Sequence, residues 1–192
     1  MTRIIAGSHG GRRLTMPAGQ GTRPTSDRVK EAVFTALTSW LGTVSADPAE
    51  SMAAQSFCDL YAGSGAMGLE AASRGATPVL LVERERKATS VIRRNAGDLG
   101  LEVEITSGRV ETLVAQPSPT AYDMVWLDPP YEISSDALDR VVADLVANGW
   151  VAPNGIIMVE RSGRSAAPGW PDGYTDGWSK NYGDTVVHYG CG

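Results

Sequence analysis

Cysteine is nearly missing from this chain: there are two in 192 residues, Cys58 inside an apolar run and Cys191 one position from the end. Thiols so placed give neither a disulfide framework nor a paired metal-ligand spacing. Cys58 is expected to pack as a small buried hydrophobe, and no metal site is expected. No uninterrupted apolar run approaches the roughly 18 residues of a membrane span, and Met1-Thr2-Arg3-Ile4-Ile5 lacks the apolar segment of a secretory signal, so a cytoplasmic protein with no membrane partner is expected. Histidine is also scarce, and His9 and His188 stand in no catalytic pattern; a loop role and strand packing are expected of them. Net positive charge is lacking too. A formal charge of −5 argues against binding nucleic acid over the whole surface. Yet within residues 1–30 stand Arg3, Arg12, Arg13, Arg23, Arg28 and Lys30 against Asp27 alone. That basic end is either a nucleic-acid contact or a solvated arm.

What is present starts with Val125-Trp126-Leu127-Asp128-Pro129-Pro130-Tyr131. The apolar residues predict a buried strand, and the prolines end it because neither can donate a ladder hydrogen bond. The corner places a carboxylate, outward-facing carbonyls and an aromatic ring at the carboxyl end of a strand, where open α/β sheets bind ligands. Asp128 and the Pro129 carbonyl can accept the two N–H bonds of an exocyclic amine, and Tyr131 can stack on an extruded base. Taken alone, the tetrad also reads as a stiff turn. Its partner is Asp59-Leu60-Tyr61-Ala62-Gly63-Ser64-Gly65-Ala66-Met67-Gly68, a glycine turn between a strand at Phe57–Tyr61 and a helix over Ala66–Arg74. Glu83 ends the next strand, Val79–Glu83, eighteen residues after Gly65. A carboxylate there can accept from both hydroxyls of a ribose.

Apolar periodicity supplies the rest of the scaffold. Arg3–Ala6 and Gly11–Thr15 predict a small glycine-turned hairpin, which must lie against the main domain or order on RNA. A helix following Thr22–Asp27 places Val29, Ala32, Val33, Ala36, Leu37 and Trp40 on its core face, leaving Arg28 and Lys30 free for phosphates, and Gly42 stops it. Residues 43–55 read as a connector or weak helix. Helices are expected over Glu85–Leu99 and Ser134–Asn148, and strands over Val103–Thr106 (an edge), Tyr122–Leu127 and Ile156–Glu160. A closing hairpin is expected from Tyr174–Ser179 and Thr185–Tyr189. Alternating strands and helices in a chain that is 42% apolar predict one α/β domain with an N-terminal extension, divided as residues 1–21 and 22–192.

The glycine loop and Asp-Pro-Pro-Tyr together resemble the class I methyltransferases that use S-adenosylmethionine and act on amino groups of bases. Over nearly the whole chain, Arg3-Ile4-Ile5-Ala6-Gly7, Arg23-Pro24-Thr25-Ser26-Asp27-Arg28-Val29-Lys30-Glu31, Gly63-Ser64-Gly65-Ala66-Met67-Gly68-Leu69-Glu70-Ala71, Ser73-Arg74-Gly75-Ala76 and Asp128-Pro129-Pro130-Tyr131 resemble the RsmD family. Its members methylate guanine N2 in small-subunit ribosomal RNA, and the arginine-proline-threonine segment is the most specific match. The resemblance implies a Rossmann-like fold with a mostly parallel seven-stranded sheet closed by a C-terminal antiparallel strand. It implies S-adenosylmethionine held by Asp59, Tyr61, Ala62, Gly63, Ser64, Gly65, Met67, Glu83, Arg84 and Asp128. Catalysis would fall to Asp128, Pro129, Pro130 and Tyr131. RNA contacts would come from Arg3, Arg12, Arg13, Arg23, Thr25, Arg28, Lys30 and Lys180. The partner would be 16S ribosomal RNA in a small subunit, assembled or partly so, met by a monomer.

Related enzymes often carry an acid near the adenine amine, and none stands in Ser107-Gly108-Arg109-Val110, so backbone around Gly108, Arg109 and Val110 is expected there. Three other readings stay open: amino-methylation of adenine or cytosine in DNA, a nicotinamide-dependent oxidoreductase, and a non-catalytic RNA-binding module. The oxidoreductase leaves Asp128 to Tyr131 unexplained.

Overall fold

Apolar strands alternating with amphipathic helices build a three-layer sandwich in the computed structural model, which describes residues 2–17, 25–174 and 177–192. A two-residue ladder, β1 (Thr2–Arg3) against β2 (Arg13–Leu14), precedes helix α1 (Asp27–Leu41). There follow β3 (Phe57–Leu60), α2 (Ala66–Ser73), β4 (Val79–Glu83), α3 (Arg86–Leu99), β5 (Glu104–Ser107), α4 (Val110–Val114) and β6 (Tyr122–Leu127). The chain ends with α5 (Ser135–Ala147), β7 (Val151–Ser162), β8 (Trp178–Tyr182) and β9 (Thr185–Cys191). The seven-stranded sheet runs β5-β4-β3-β6-β7-β9-β8. Its first five strands are parallel, and β9 and β8 close it antiparallel, as the resemblance implied.

Strand β3 pairs with β4 on one side and β6 on the other, so the strand order reverses between β3 and β6 and opens a crevice beyond their carboxyl ends. Side chains alternate across the sheet. Met124 and Trp126 join Phe57, Leu81, Ile92 and the α1 residues Val33, Phe34 and Leu37 on one face. Val125 and Leu127 join Cys58, Val82 and the α5 residues Leu138, Val141 and Leu145 on the other. Burial on both faces is why these strands read as continuous apolar runs.

Ser26 caps α1 by accepting from the Val29 N–H, and Gly42 ends it in the left-handed region. The core stripe differs from expectation at its end: Trp40 is 39% exposed, and Phe34 takes the buried place, stacked on Phe57. The N-terminal hairpin is shorter than predicted, and it lies against the domain. The Ile5 and Ala6 N–H groups donate to Glu70 on α2, the Ser8 N–H to the Ser73 carbonyl, and Thr15 exchanges two hydrogen bonds with Asn95 on α3. Residues 43–55 form turns, the connector of the two forms expected, whereas β7 begins five residues before Ile156 and the short α4 was not foreseen.

Candidate active site

Two strand ends build the site. Beyond β3 the chain turns through Tyr61 at φ 63°, Gly63 at 57° and Gly65 at 80° before α2 begins. Glycine accommodates the left-handed conformation without cost, whereas Tyr61 is held in it at a price of roughly 1–3 kcal/mol. At Gly68 an added Cβ would lie 2.8 Å from Leu81, so only a glycine lets α2 sit this close to the sheet. Beyond β6, Pro129 and Pro130 turn the chain away, and Asp128 lies next to Tyr61 because Leu127 pairs with Leu60.

Between the two ends lies a cavity of about 300 Å³, at the small end of the range for ligand sites. Of the residues expected to hold the cofactor, Asp59, Tyr61, Ala62, Gly63, Ser64, Met67, Glu83, Arg84, Gly108, Val110 and Asp128 line it. So do Pro129, Pro130 and the 65% exposed Tyr131. Gly65 and Arg109 do not. Gly65 caps α2 below the loop, its N–H donating to the Ala62 carbonyl at 2.7 Å, and Arg109 is an exposed residue paired with Glu111 at 3.5 Å.

Charge in this cavity is acidic and deeply placed. Glu83 is buried, and its two carboxylate oxygens accept from the Gly63 and Glu85 N–H groups, each at 2.8 Å, which fixes the carboxylate under the glycine loop. Asp59 is 1% exposed and accepts from the Gly68 N–H at 2.8 Å. Burial pushes its carboxyl up to about 7; the Gly68 N–H opposes the rise and the Glu83 carboxylate adds to it. Asp128 is half-buried and held well above the usual carboxylate range by lost hydration first, then by the Glu160 and Asp59 carboxylates, with Thr25 opposing. Such a concentration of perturbed acids in one cleft marks a candidate functional site.

Sequence reasoning missed Glu111. It lines the cavity and accepts from the Tyr61 hydroxyl at 3.1 Å, so an acid does stand at the β5 edge, one position after the segment searched for it. Met16, Pro17, Trp126 and Glu85 also line the cavity unforeseen. Met16 and Pro17 come from the end of the N-terminal hairpin segment, for which no local motif speaks.

The residues expected to meet RNA divide. Arg12, Arg13, Arg28 and Lys180 are exposed, and Arg3 is exposed beside Asp27 at 3.5 Å. Arg12 also donates to the Asp98 carbonyl at 3.1 Å. Arg23 lies outside the described residues. Lys30 corrects its expectation: it is fully buried, donates to the Arg3 carbonyl, and lies 3.9 Å from both Asp27 and Glu70. Burial lowers its pKa against the pull of those two carboxylates. Glu70, also 0% exposed, is shared with Arg74 at 2.8 Å, so Lys30 belongs to the lock between hairpin, α1 and α2 rather than to a phosphate. Thr25 is likewise turned inward. It is buried in the cavity wall, its hydroxyl 2.8 Å from Glu160 and 3.3 Å from Asp128. Among the described residues no His, Cys, Asp and Glu cluster is arranged to hold a metal, and no helix is long and apolar enough to cross a membrane.

Comparison with known proteins agrees with this layout. The family described as Conserved hypothetical protein 95 matches residues 2–190. Ribosomal RNA small subunit methyltransferase D of Escherichia coli K12 is 35% identical over 170 residues, covering 88% of this chain and 79% of its own. The structure of a hypothetical protein from Thermus thermophilus superposes with a TM-score of 0.80 at 27% identity, covering 98% of each chain. The T. thermophilus 16S rRNA N2 G1207 methyltransferase RsmC, solved with AdoMet and guanosine, shares the fold at a TM-score of 0.68. It is 19% identical, with 91% of this chain and 44% of that one covered. The match along residues 2–190 and the identity to ribosomal RNA small subunit methyltransferase D make this chain a member of the RsmD family.

Proposed function

We propose that this protein transfers a methyl group from S-adenosylmethionine to the exocyclic N2 of a guanine in small-subunit (16S) ribosomal RNA. The observation that carries the reading is that one cavity joins the glycine loop after β3 to Asp128-Pro129-Pro130-Tyr131 after β6. Membership of the RsmD family and identity to relatives named for methylation of small-subunit ribosomal RNA support it.

The residues present suit the donor. The Glu83 carboxylate stands where a ribose diol needs an acceptor, the glycines keep side chains out of the space, and Glu111 and Gly108 stand at the β5 edge, where an adenine amine would need an acceptor. When bound, S-adenosylmethionine supplies a methyl group already activated by its sulfonium, so the chain itself has only to bind and orient. Asp128 and the Pro129 carbonyl accept the two N–H bonds of the guanine amine and keep its nitrogen pointed into the cavity. Tyr131, exposed at the rim, is the stacking surface for a base drawn out of the RNA. As positive charge builds on that nitrogen, the Asp128 carboxylate stabilises it. Orientation of this kind is worth on the order of 7–11 kcal/mol of barrier. RNA is gripped through the exposed Arg3, Arg12, Arg13, Arg28 and Lys180, the same reading assigns Arg23 to RNA, and the protein acts as a monomer on an assembled or partly assembled subunit.

Transfer of tritiated methyl from S-adenosylmethionine to naked ribosomal RNA, to small-subunit particles and to duplex DNA, followed by nucleoside analysis, tests the proposal. Label in N2-methylguanosine from the small-subunit samples is expected. Label in a methylated adenine or cytosine, or in the DNA alone, would contradict it.

A further inference from the structure

Helix α3 carries its charge in a pattern that the fold does not require. Its inner face, Ala88, Ile92, Ala96 and Leu99, is buried. Its outer face holds Arg86, Lys87, Arg93 and Arg94 at three-and-four spacing, all four exposed, with Asp98 as the helix's sole acid. Helix α5, on the opposite face of the sheet, packs through a similar apolar stripe and carries Asp136, Asp139 and Asp144 against Arg140 alone. Packing on this sheet therefore does not select cations, and their collection on one helix runs against a formal charge of −5 for the chain.

Stability does not explain their place either. The amino end of a helix is the positive end of its dipole and favours acids in the first turn. Asp27 in α1, Glu111 in α4 and Asp136 in α5 follow that rule. Helix α3 breaks it, with Arg86 and Lys87 in its first turn and no acid there, while its N-cap Glu85 makes no side-chain capping hydrogen bond. Arg94 lies 3.6 Å from Asp98, but among the described residues no ion pair engages Arg86, Lys87 or Arg93. Both ends of the stripe adjoin parts already assigned to the substrates. Arg84 and Glu85, immediately before α3, are exposed and line the cavity, so the helix begins at the cavity rim. At its far end the Arg12 guanidinium donates to the Asp98 carbonyl at 3.1 Å, which joins the stripe to the hairpin cations. The 14 residues of α3 span roughly 21 Å, a length along which a nucleic-acid strand places several phosphates.

We propose that the outer face of α3 is an RNA-binding surface, on which Arg86, Lys87 and Arg93 hold backbone phosphates of the ribosomal RNA whose base enters the cavity, and Arg12 continues the track. Cations without carboxylate partners, set in one line beside a site that admits a nucleobase, match a polyanion rather than a single anion. Contacts of this kind position the RNA without reading its sequence. The inference rests on the RNA-methylation reading above and adds to it the path of the RNA across the protein.

The test combines Arg86→Ala, Lys87→Ala and Arg93→Ala in the full chain and titrates naked small-subunit RNA over a range of salt. The slope of log affinity against log salt is expected to fall by roughly two to three units, and affinity at low salt by on the order of tenfold or more. KM for RNA should rise, with kcat at saturating RNA and affinity for S-adenosylmethionine near wild type. Arg86→Lys with Arg93→Lys should keep the slope, because charge carries the contact, and Arg140→Ala on α5 should leave it unchanged. Removing the first-turn cations should leave stability in chemical denaturation equal to wild type or higher, which a structural role would not allow. An unchanged salt slope in the triple variant would overturn the proposal, as would an equal loss of slope in Arg140→Ala. Binding of wild-type protein to anionic phospholipid vesicles that the triple variant loses, with its RNA slope intact, would overturn it in favour of a membrane surface. Failure of wild-type protein to bind or methylate small-subunit RNA would instead overturn the reading on which the inference rests.

Discussion

The carboxyl ends of β3 and β6 and the N-terminal segment before α1 were both marked as functional by their residues, yet they turned out differently. At the strand ends, nearly every expected residue lines one cavity. In the N-terminal segment and the start of α1, cations that look alike in sequence part company: Arg12, Arg13 and Arg28 face out, whereas Lys30 is fully buried on Glu70 and Asp27. Thr25 faces the carboxylates of the cavity. Glycines and prolines restrict their own backbone, so the motif carries its geometry with it. A lysine's direction depends on what it meets across the fold, and Glu70 is forty residues further along the chain.

That contrast can be broken at its buried side with the largest effect. Glu70→Ala would remove the buried one of the two carboxylates beside Lys30, strip Arg74 of its partner and release the Ile5 and Ala6 N–H groups, so a loss of about 3–5 kcal/mol is expected in chemical denaturation. Lys30→Ala should lose stability in the same way, whereas Arg28→Ala should leave stability nearly unchanged. A stable Lys30→Ala protein with weakened RNA binding would restore the cation to the surface.

The acidic cavity offers a pH test of intermediate size. Asp59, at about 7 in the folded protein against 3.8 for an ordinary aspartate, is largely protonated at pH 6 and largely ionised at pH 8. A cationic donor favours the ionised form, so affinity for S-adenosylmethionine should rise as pH increases from about 6 to 8, by no more than about tenfold. The same raised pKa makes Asp59's contribution to stability fall as pH rises between about 4 and 7, because the unfolded chain ionises first. Asp59→Asn should flatten both profiles when binding is followed by calorimetry and stability by denaturation. An unchanged binding profile would remove Asp59 from contact with the donor's charge.

The exposed side predicts the smallest change. Replacing Arg12 and Arg13 together should reduce the slope of log affinity for RNA against log salt by roughly one to two units, with turnover at saturating RNA intact. An unaltered slope would make them a solvated arm.

How far the sequence could be read follows the same division. Strands β4 and β6 match their predicted spans because continuous apolar runs between turn residues can be little else. Helix α4, five residues long, is too short to show a period, and β7 starts ahead of its apolar run because Val151–Gly155 is paired only at Val151 on its β6 side. Trp40 completes a helical stripe in sequence but stands in the last turn of α1, where it is 39% exposed. Glu111 follows Val110 directly, one position beyond the Ser107-Gly108-Arg109-Val110 segment in which an acid was sought. The Thr25 contacts with Asp128 and Glu160, in contrast, join segments far apart in the chain, and no local pattern encodes them.

The central claim is that one cavity separates two tasks, holding the methyl donor at the β3 loop and gripping the base amine at the β6 end. Asp128→Ala, assayed side by side for S-adenosylmethionine affinity and for methyl transfer to small-subunit RNA, tests it most directly. Donor affinity within about threefold of wild type and turnover lower by on the order of 10²–10³-fold are expected. Turnover near the wild-type rate would contradict it.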